Sequence, residues 1–136
     1  MAKLTTIEGI GTGVEKKLKK AGVGSTHTLL KLGGNKKGRK ELAAATNIDE
    51  AKLLKYVNHA DLMRIKGIGK DFSELLEAAG VDSVPELKRR NAANLRAVME
   101  EKNNQRRKNK VKQLPTEKQV ADWVAQAKKM ERAVSH

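Results

Sequence analysis

The sequence predicts an all-α protein made of two tandem copies of one helical unit, residues 1–63 and 64–136, packed as one compact helical domain. Three observations predict it. Shifted by 58 residues the chain matches itself: Ile7, Gly9, Ile10, Gly11, Leu18, Ala21, Gly22, Val23, Ser25 and Leu29 fall on identical residues at Ile65, Gly67, Ile68, Gly69, Leu76, Ala79, Gly80, Val81, Ser83 and Leu87. Apolar residues recur at helical spacing and stop at glycine. No stretch alternates apolar and polar residues with period two, the mark of a half-buried strand.

The elements follow in order. Val14, Leu18 and Ala21 mark a helix in "VEKKLKKAGV", with Gly22 as its left-handed stop. Ser25 is placed to cap a short helix, and another runs from about Lys36 to Ala45. Asp49 caps a long helix carrying Leu53, Leu54, Val57, Ala60 and Met63 on one face, and it leads without a linker into the second copy. There "FSELLEAAGV" repeats the first helix and its stop at Gly80. Ser83 and Pro85 suit the start of a short helix. "AANLRAVMEEK" makes another helix with Leu95, Val98 and Met99 inward. After Pro115 the best register changes to 67, pairing Asp49, Glu50, Leu53, Tyr56, Val57, Ala60 and Met63 with Thr116, Glu117, Val120, Trp123, Val124, Ala127 and Met130. The added residues fall in "NNQRRKNKVKQ" at 103–113, polar and basic enough for a loop. A unit of about 60 residues is marginal alone, so the copies are expected to share a core.

Composition narrows the partners. Lys and Arg number 29 against 16 acids, giving a formal charge of +13 and a pI near 10.1. Such an excess points to polyanions, nucleic acid before anionic membrane. The absence of cysteine excludes disulfides and cysteine-ligated zinc or iron–sulfur sites. No signal-peptide run and no membrane-spanning stretch is visible, so a cytoplasmic protein is expected. Tyr56, Phe72 and Trp123 are the sole aromatics, too few for a reader that stacks single-stranded bases.

The residues that carry chemistry are the two glycine knots, "IEGIG" at 7–11 and "IKGIG" at 65–69. In each, a helix ends, Gly-Ile-Gly turns the chain and another helix starts. Gly9 or Gly67 supplies positive φ. Ile10 or Ile68 packs between the helices. Gly11 or Gly69 lets a ligand approach the backbone where the next helix presents unpaired N–H groups and the positive end of its dipole, an arrangement that holds phosphate. The same turn also serves packing alone.

With "IEGIG" and "IKGIG" followed by amphipathic helices ending in Ala-Gly-Val, residues 4–23 and 62–81 resemble the helix-hairpin-helix family. Paired motifs in that family commonly form one five-helix domain. The resemblance implies contact with duplex backbone across the minor groove, without base reading and often with a monovalent cation beside the hairpin. By it, Gly9, Ile10, Gly11, Gly67, Ile68 and Gly69 would carry phosphate binding. The whole chain, "NHADLMRIKGIG" above all, is similar to an uncharacterised bacterial family of tandem hairpin proteins, a domain of unknown function.

The copies differ in charge. Lys16, Lys17, Lys19 and Lys20 follow the first knot, whereas Asp71, Glu74 and Glu77 follow the second, which keeps Lys66 and Lys70 at the turn. The first surroundings are the more cationic, a slight preference for that hairpin. Between Lys88 and Lys112 stand ten basic residues against Glu100 and Glu101. "KRR" at 88–90, with Arg89 and Arg90, and "RRKNK" at 106–110, with Arg106 and Arg107, make a second contact zone or a solvated face. "NKKGRK" at 35–40 reads as a smaller basic loop.

No enzyme is expected. His27, His59 and His136 lack spaced carboxylate partners, with His59 placed at the surface or between helices. The acids are scattered rather than clustered for metal, and no phosphate-loop motif occurs. Tyr56 and Trp123 occupy equivalent repeat positions, which favours packing. The expected function is sequence-nonspecific binding of duplex nucleic acid, DNA before RNA, through hairpin amides and the cations Lys16, Lys17, Lys20, Lys66, Lys70, Arg89, Arg90, Arg106 and Arg107. No cofactor and no membrane partner are expected. The alternative is a protein-interaction adaptor, including a subunit that targets a DNA-processing assembly.

Overall fold

The computed structural model describes residues 3–107 and 110–135, and every regular element among them is helical. A 3-10 turn at Leu4–Thr6 precedes α1 (Thr12–Lys20), α2 (Thr26–Gly33), α3 (Lys36–Thr46), α4 (Glu50–Leu62), α5 (Lys70–Ala78), α6 (Val84–Leu87), α7 (Ala92–Gln105) and α8 (Glu117–Lys128). The chain divides into two compact units. One is Met1–Asp61 with Arg132–His136, the other Leu62–Glu131. The division falls at the end of α4, close to the junction of the sequence repeat, and the C-terminal segment goes with the first unit.

In the first unit α2 packs on α3, and α1 contacts α3 and the 3-10 turn. Leu4, Ile7, Ile10, Leu18, Val23, Leu29, Leu42, Leu53 and Val57 are buried. The helix starts are closed by side chains. Ser25 accepts the Thr28 N–H at 3.2 Å and Asn35 accepts the Gly38 N–H at 2.7 Å. Asn47, at φ 59°, ends α3 in the left-handed region. The α2–α3 corner is so tight that a methyl group at Gly38 would collide with the Leu32 carbonyl oxygen.

The helix expected from about Lys36 to Ala45 is α3, so the overlapping expectation of a basic loop at 35–40 fails, and its arginine is internal. Arg39 is buried and donates to the Gly33 carbonyl at 2.9 Å and the Ser135 carbonyl at 2.5 Å. The Ser135 N–H returns a bond to the Gly34 carbonyl at 2.7 Å, and Val134 is buried beside it. Burial lowers the Arg39 pKa from the ordinary arginine range, and the Glu50 carboxylate opposes the shift. The guanidinium therefore acts as a charged peg fastening the C-terminal segment to the first unit. His59, expected at the surface or between helices, is fully buried in α4, as is Asp61, and Asn58 is buried beside them.

In the second unit α7 packs on α5 and α8, and α8 also meets α6. One cluster joins Leu62, Ile65, Ile68, Leu75, Leu76, Val81, Leu87, Leu95, Met99, Val120, Trp123, Val124 and Ala127, with Phe72 and Val98 at its margin. Phe72 and Trp123 pack with ring centroids 5.3 Å apart. Asn91 caps α7, and Thr116 with Gln119 forms a capping box on α8. Ser83 stands at the start of α6, but its side chain makes no cap bond, a correction to the expected role. Pro85 lies in the first turn as expected. The basic insertion begins later than expected, because α7 continues through Gln105. The buried Asn103 side chain anchors the far side of the loop, accepting the Val111 N–H at 2.8 Å and donating to its carbonyl at 2.9 Å.

Replacing Arg39 by Leu keeps apolar bulk but leaves the buried Gly33 carbonyl and the part-buried Ser135 carbonyl without their charged donor. We expect a loss of about 2–3 kcal/mol in urea unfolding. An unchanged midpoint would show that the C-terminal segment does not depend on this residue.

Candidate nucleic-acid interface

The two knots have the same backbone. The Ile7 carbonyl accepts the Ile10 N–H at 3.1 Å, and the Ile65 carbonyl accepts the Ile68 N–H at 3.2 Å. Each bond closes a four-residue turn whose third residue is the glycine with positive φ, +93° at Gly9 and +102° at Gly67, as a type II turn requires. Ile10 and Ile68 are 4% and 5% exposed. Burying each contributes about 1.5–3 kcal/mol and pins the turn to its unit.

An aromatic ring from the last helix of each repeat covers the turn glycine. A methyl group at Gly9 would lie 3.2 Å from Tyr56 Cε1, and one at Gly67 would lie 2.9 Å from Trp123 Nε1. Tyr56 also donates its hydroxyl to the Gly9 carbonyl at 3.3 Å. The second turn is further held by Gln126 of α8. Its side-chain oxygen accepts the Lys66 N–H at 2.9 Å, and its amide donates to the Lys66 carbonyl at 3.0 Å.

Past the turns the surface opens. Gly11 and Gly69 are the N-caps of α1 and α5, both exposed and in extended backbone at φ −92°, ψ −171° and φ −108°, ψ −158°. A methyl group on either would meet nothing within 4 Å. Their carbonyls accept the first helical bonds, from Glu15 at 3.0 Å and Ser73 at 2.9 Å. The amides between cap and ladder therefore belong to no intrahelical bond. No side chain caps either helix. The contrast with α2, α3, α7 and α8, each capped by Ser25, Asn35, Asn91 or Thr116, is consistent. Two repeat-equivalent helix starts have glycine where four others have an oxygen of their own.

Around α1, Lys16, Lys17 and Lys20 are exposed, and Lys19 pairs with Glu15 at 3.9 Å. At the second turn the Lys66 and Lys70 side chains are exposed, and Asp71 stands in the first turn of α5. Ile10 and Ile68 have buried side chains, so neither side chain forms part of the exposed surface.

The basic stretch is thinner than its composition. Arg106 forms a half-buried ion pair with Glu74, and its Nη1 is buried. Arg90 donates to the Gly80 carbonyl at 3.0 Å and to Glu86 at 3.3 Å. Arg96 donates to the Pro115 carbonyl at 2.9 Å and pairs with Glu100 at 3.1 Å. Lys88, Arg89, Arg107, Lys110 and Lys112 remain exposed. Lys108 and His136 lie outside the described residues.

One feature had no signal in the sequence. A groove of about 650 Å³ runs beside the second turn, lined by Lys66, Gly67, Lys118, Gln119, Asp122, Trp123 and Gln126. The repeat register pairs Lys118 with Ala51 and Gln126 with His59, so the duplication does not announce it. Among the described residues no group of three or more His, Asp or Glu side chains could hold a metal ion, and no helix is long and apolar enough to cross a membrane.

The model of a protein family described as Domain of unknown function (DUF4332) matches residues 8–130. No curated protein and no solved structure matches the chain.

The two glycines of a knot should respond oppositely to substitution. Gly67→Ala forces a left-handed alanine against the Trp123 ring and should cost about 1–3 kcal/mol. Gly69→Ser introduces the missing cap in a compatible backbone, and its stability should hold or rise by a few tenths of a kcal/mol. Thermal unfolding of both variants decides it. Equal losses would mean that the helix start is not open.

Proposed function

The chain belongs to the DUF4332 family, a domain of unknown function, and we propose that it binds the backbone of duplex nucleic acid, DNA in preference to RNA, with little regard for sequence. In this reading the knots are helix-hairpin-helix elements. The amides at the starts of α1 and α5 take phosphate oxygens, with the positive end of each helix dipole behind them. Gly11 and Gly69 lack the side chain that would obstruct a sugar–phosphate strand or compete for the same N–H groups. The observation that carries the reading is this pair of glycine-capped, uncapped-by-side-chain helix starts in a chain that caps its other long helices of known cap.

Charge and aromatic placement support it. The net charge of +13 supplies long-range attraction. Tyr56 and Trp123 are buried and Phe72 half-buried, so they offer no platform for stacking bases. With Arg90, Arg96 and Arg106 engaged inside the protein, the exposed cations are mostly lysines, which meet phosphate as point charges. Contacts of this kind position a protein on a duplex without reading it.

Titration of a labelled DNA duplex at several salt concentrations tests the proposal. If about four phosphates are neutralised, log affinity should fall against log salt with a slope of about −3.6. Gly11→Asp and Gly69→Asp place a carboxylate where the phosphate would sit. An aspartate N-cap should preserve thermal stability, while each variant weakens duplex binding by about tenfold or more, as loss of a charge-assisted contact implies. No duplex binding at low salt, together with a stable protein partner, would replace this proposal with the adaptor reading.

A further inference from the structure

We propose that the groove between the second turn and α8 is a phosphodiester subsite, filled by the strand that continues past the start of α5. The inference rests on the duplex-binding reading and adds a contact to it. Trp123 carries the argument. It is 3% exposed and packed against Phe72. Its indole N–H lies over Gly67 on the groove wall and makes no hydrogen bond to any described residue. The ring is buried but Nε1 is not among the fully buried atoms, so its N–H opens on the groove, where an oxygen acceptor can take the place of water. Its counterpart in the first copy, Tyr56, is satisfied internally by the Gly9 carbonyl.

The other walls define the acceptor. Lys66 and Lys118 are exposed and line the groove. Gln126 is occupied by the Lys66 backbone and by Asp122, to which it donates at 2.9 Å. The Gln119 side-chain oxygen is occupied by the capping box of α8, which leaves its amide nitrogen as a donor. The groups left to a ligand are therefore two ammoniums, the Gln119 amide and one indole N–H, all donors, with the Asp122 carboxylate alongside. Two cations and one carboxylate leave one net positive charge, matched to the single negative charge of a phosphodiester. A phosphate dianion would meet Asp122 at a disadvantage. The buried indole face excludes stacking, so the groove takes an oxygen acceptor and not a base.

Trp123 is the sole tryptophan, so the full-length ¹⁵N-labelled protein gives one indole N–H resonance. Titration with a short DNA duplex at low salt should move it together with the amides of Gly69, Lys70 and Asp71, at one midpoint. Inorganic phosphate at equal concentration should leave it in place. Lys118→Gln, a surface change, should weaken duplex affinity several-fold and make the salt slope shallower by about 0.9. If the α5 amides saturate with duplex while the indole stays still and Lys118→Gln binds normally, the subsite is overturned and the duplex reading stands. If the indole answers inorganic phosphate equally well, the groove is a general anion site and its assignment to a strand is overturned. If neither indole nor amides respond to duplex, the functional reading fails and the subsite falls with it.

Discussion

The architecture of both knots depends on a glycine held at positive φ beneath an aromatic ring. Only a residue without Cβ can take that conformation with Tyr56 or Trp123 so close above it. The contact is long-range, 47 residues from Gly9 to Tyr56, so it ties the first turn of a repeat to its last helix. Once the turn is pinned by the ring on one side and a buried isoleucine on the other, the direction in which the chain enters the next helix is fixed. The open face at Gly11 and Gly69 is thus a consequence of closure two residues earlier. A helix start left uncapped in a loose loop would fray. Here it is supported from behind.

The division of labour between arginine and lysine follows the same logic. Arg39, Arg64, Arg90, Arg96 and Arg106 each donate to backbone carbonyls or carboxylates of their own unit. Their planar forks suit such fixed, multidentate positions. The lysines, flexible and strongly hydrated, are left at the surface. Sequence readout in the major groove leans on arginine forks against guanine edges. A chain that engages so many of its forks internally is better equipped for attraction to a backbone than for base discrimination. Formal charge alone does not distinguish these cases, because it counts a buried peg such as Arg39 equally with an exposed lysine.

The sequence carried the helical class and the turns because both are local. Period, glycine stops and ten identical repeat positions need no knowledge of distant contacts. Positive φ at Gly9, Gly22, Gly67 and Gly80 follows from the same signals. What escaped is tertiary. The end of α7 was hidden because "NNQ" reads as loop, whereas Asn103 is buried by its bonds to Val111 across the insertion. His59 was open between the surface and a place between helices, and its full burial excludes the surface. Arg106 looked equivalent to Arg107 until Glu74 claimed it. The groove at the second turn draws Lys66, Lys118 and Trp123 from segments about 50 residues apart, and its positions are the ones at which the two copies have diverged.

Under the proposed function, that divergence would give the two copies different means of attracting the same kind of ligand. Their turns and caps are nearly superposable in dihedral angle, so the amide geometry is common to both. In the first, lysines along α1 raise the potential around the helix start, an effect that salt screens within about 8–10 Å. In the second, Asp71 in the first turn of α5 already complements the dipole and reduces that potential. What compensates is short-range: Lys66 and Lys70 at the turn, Lys118 and an indole donor in the adjoining groove. On that reading the first copy relies on cations along its helix, and the second on cations at the turn and in the groove. The duplication has kept its backbone geometry while exchanging the surface around it, so what separates the copies lies in side chains and not in the turn.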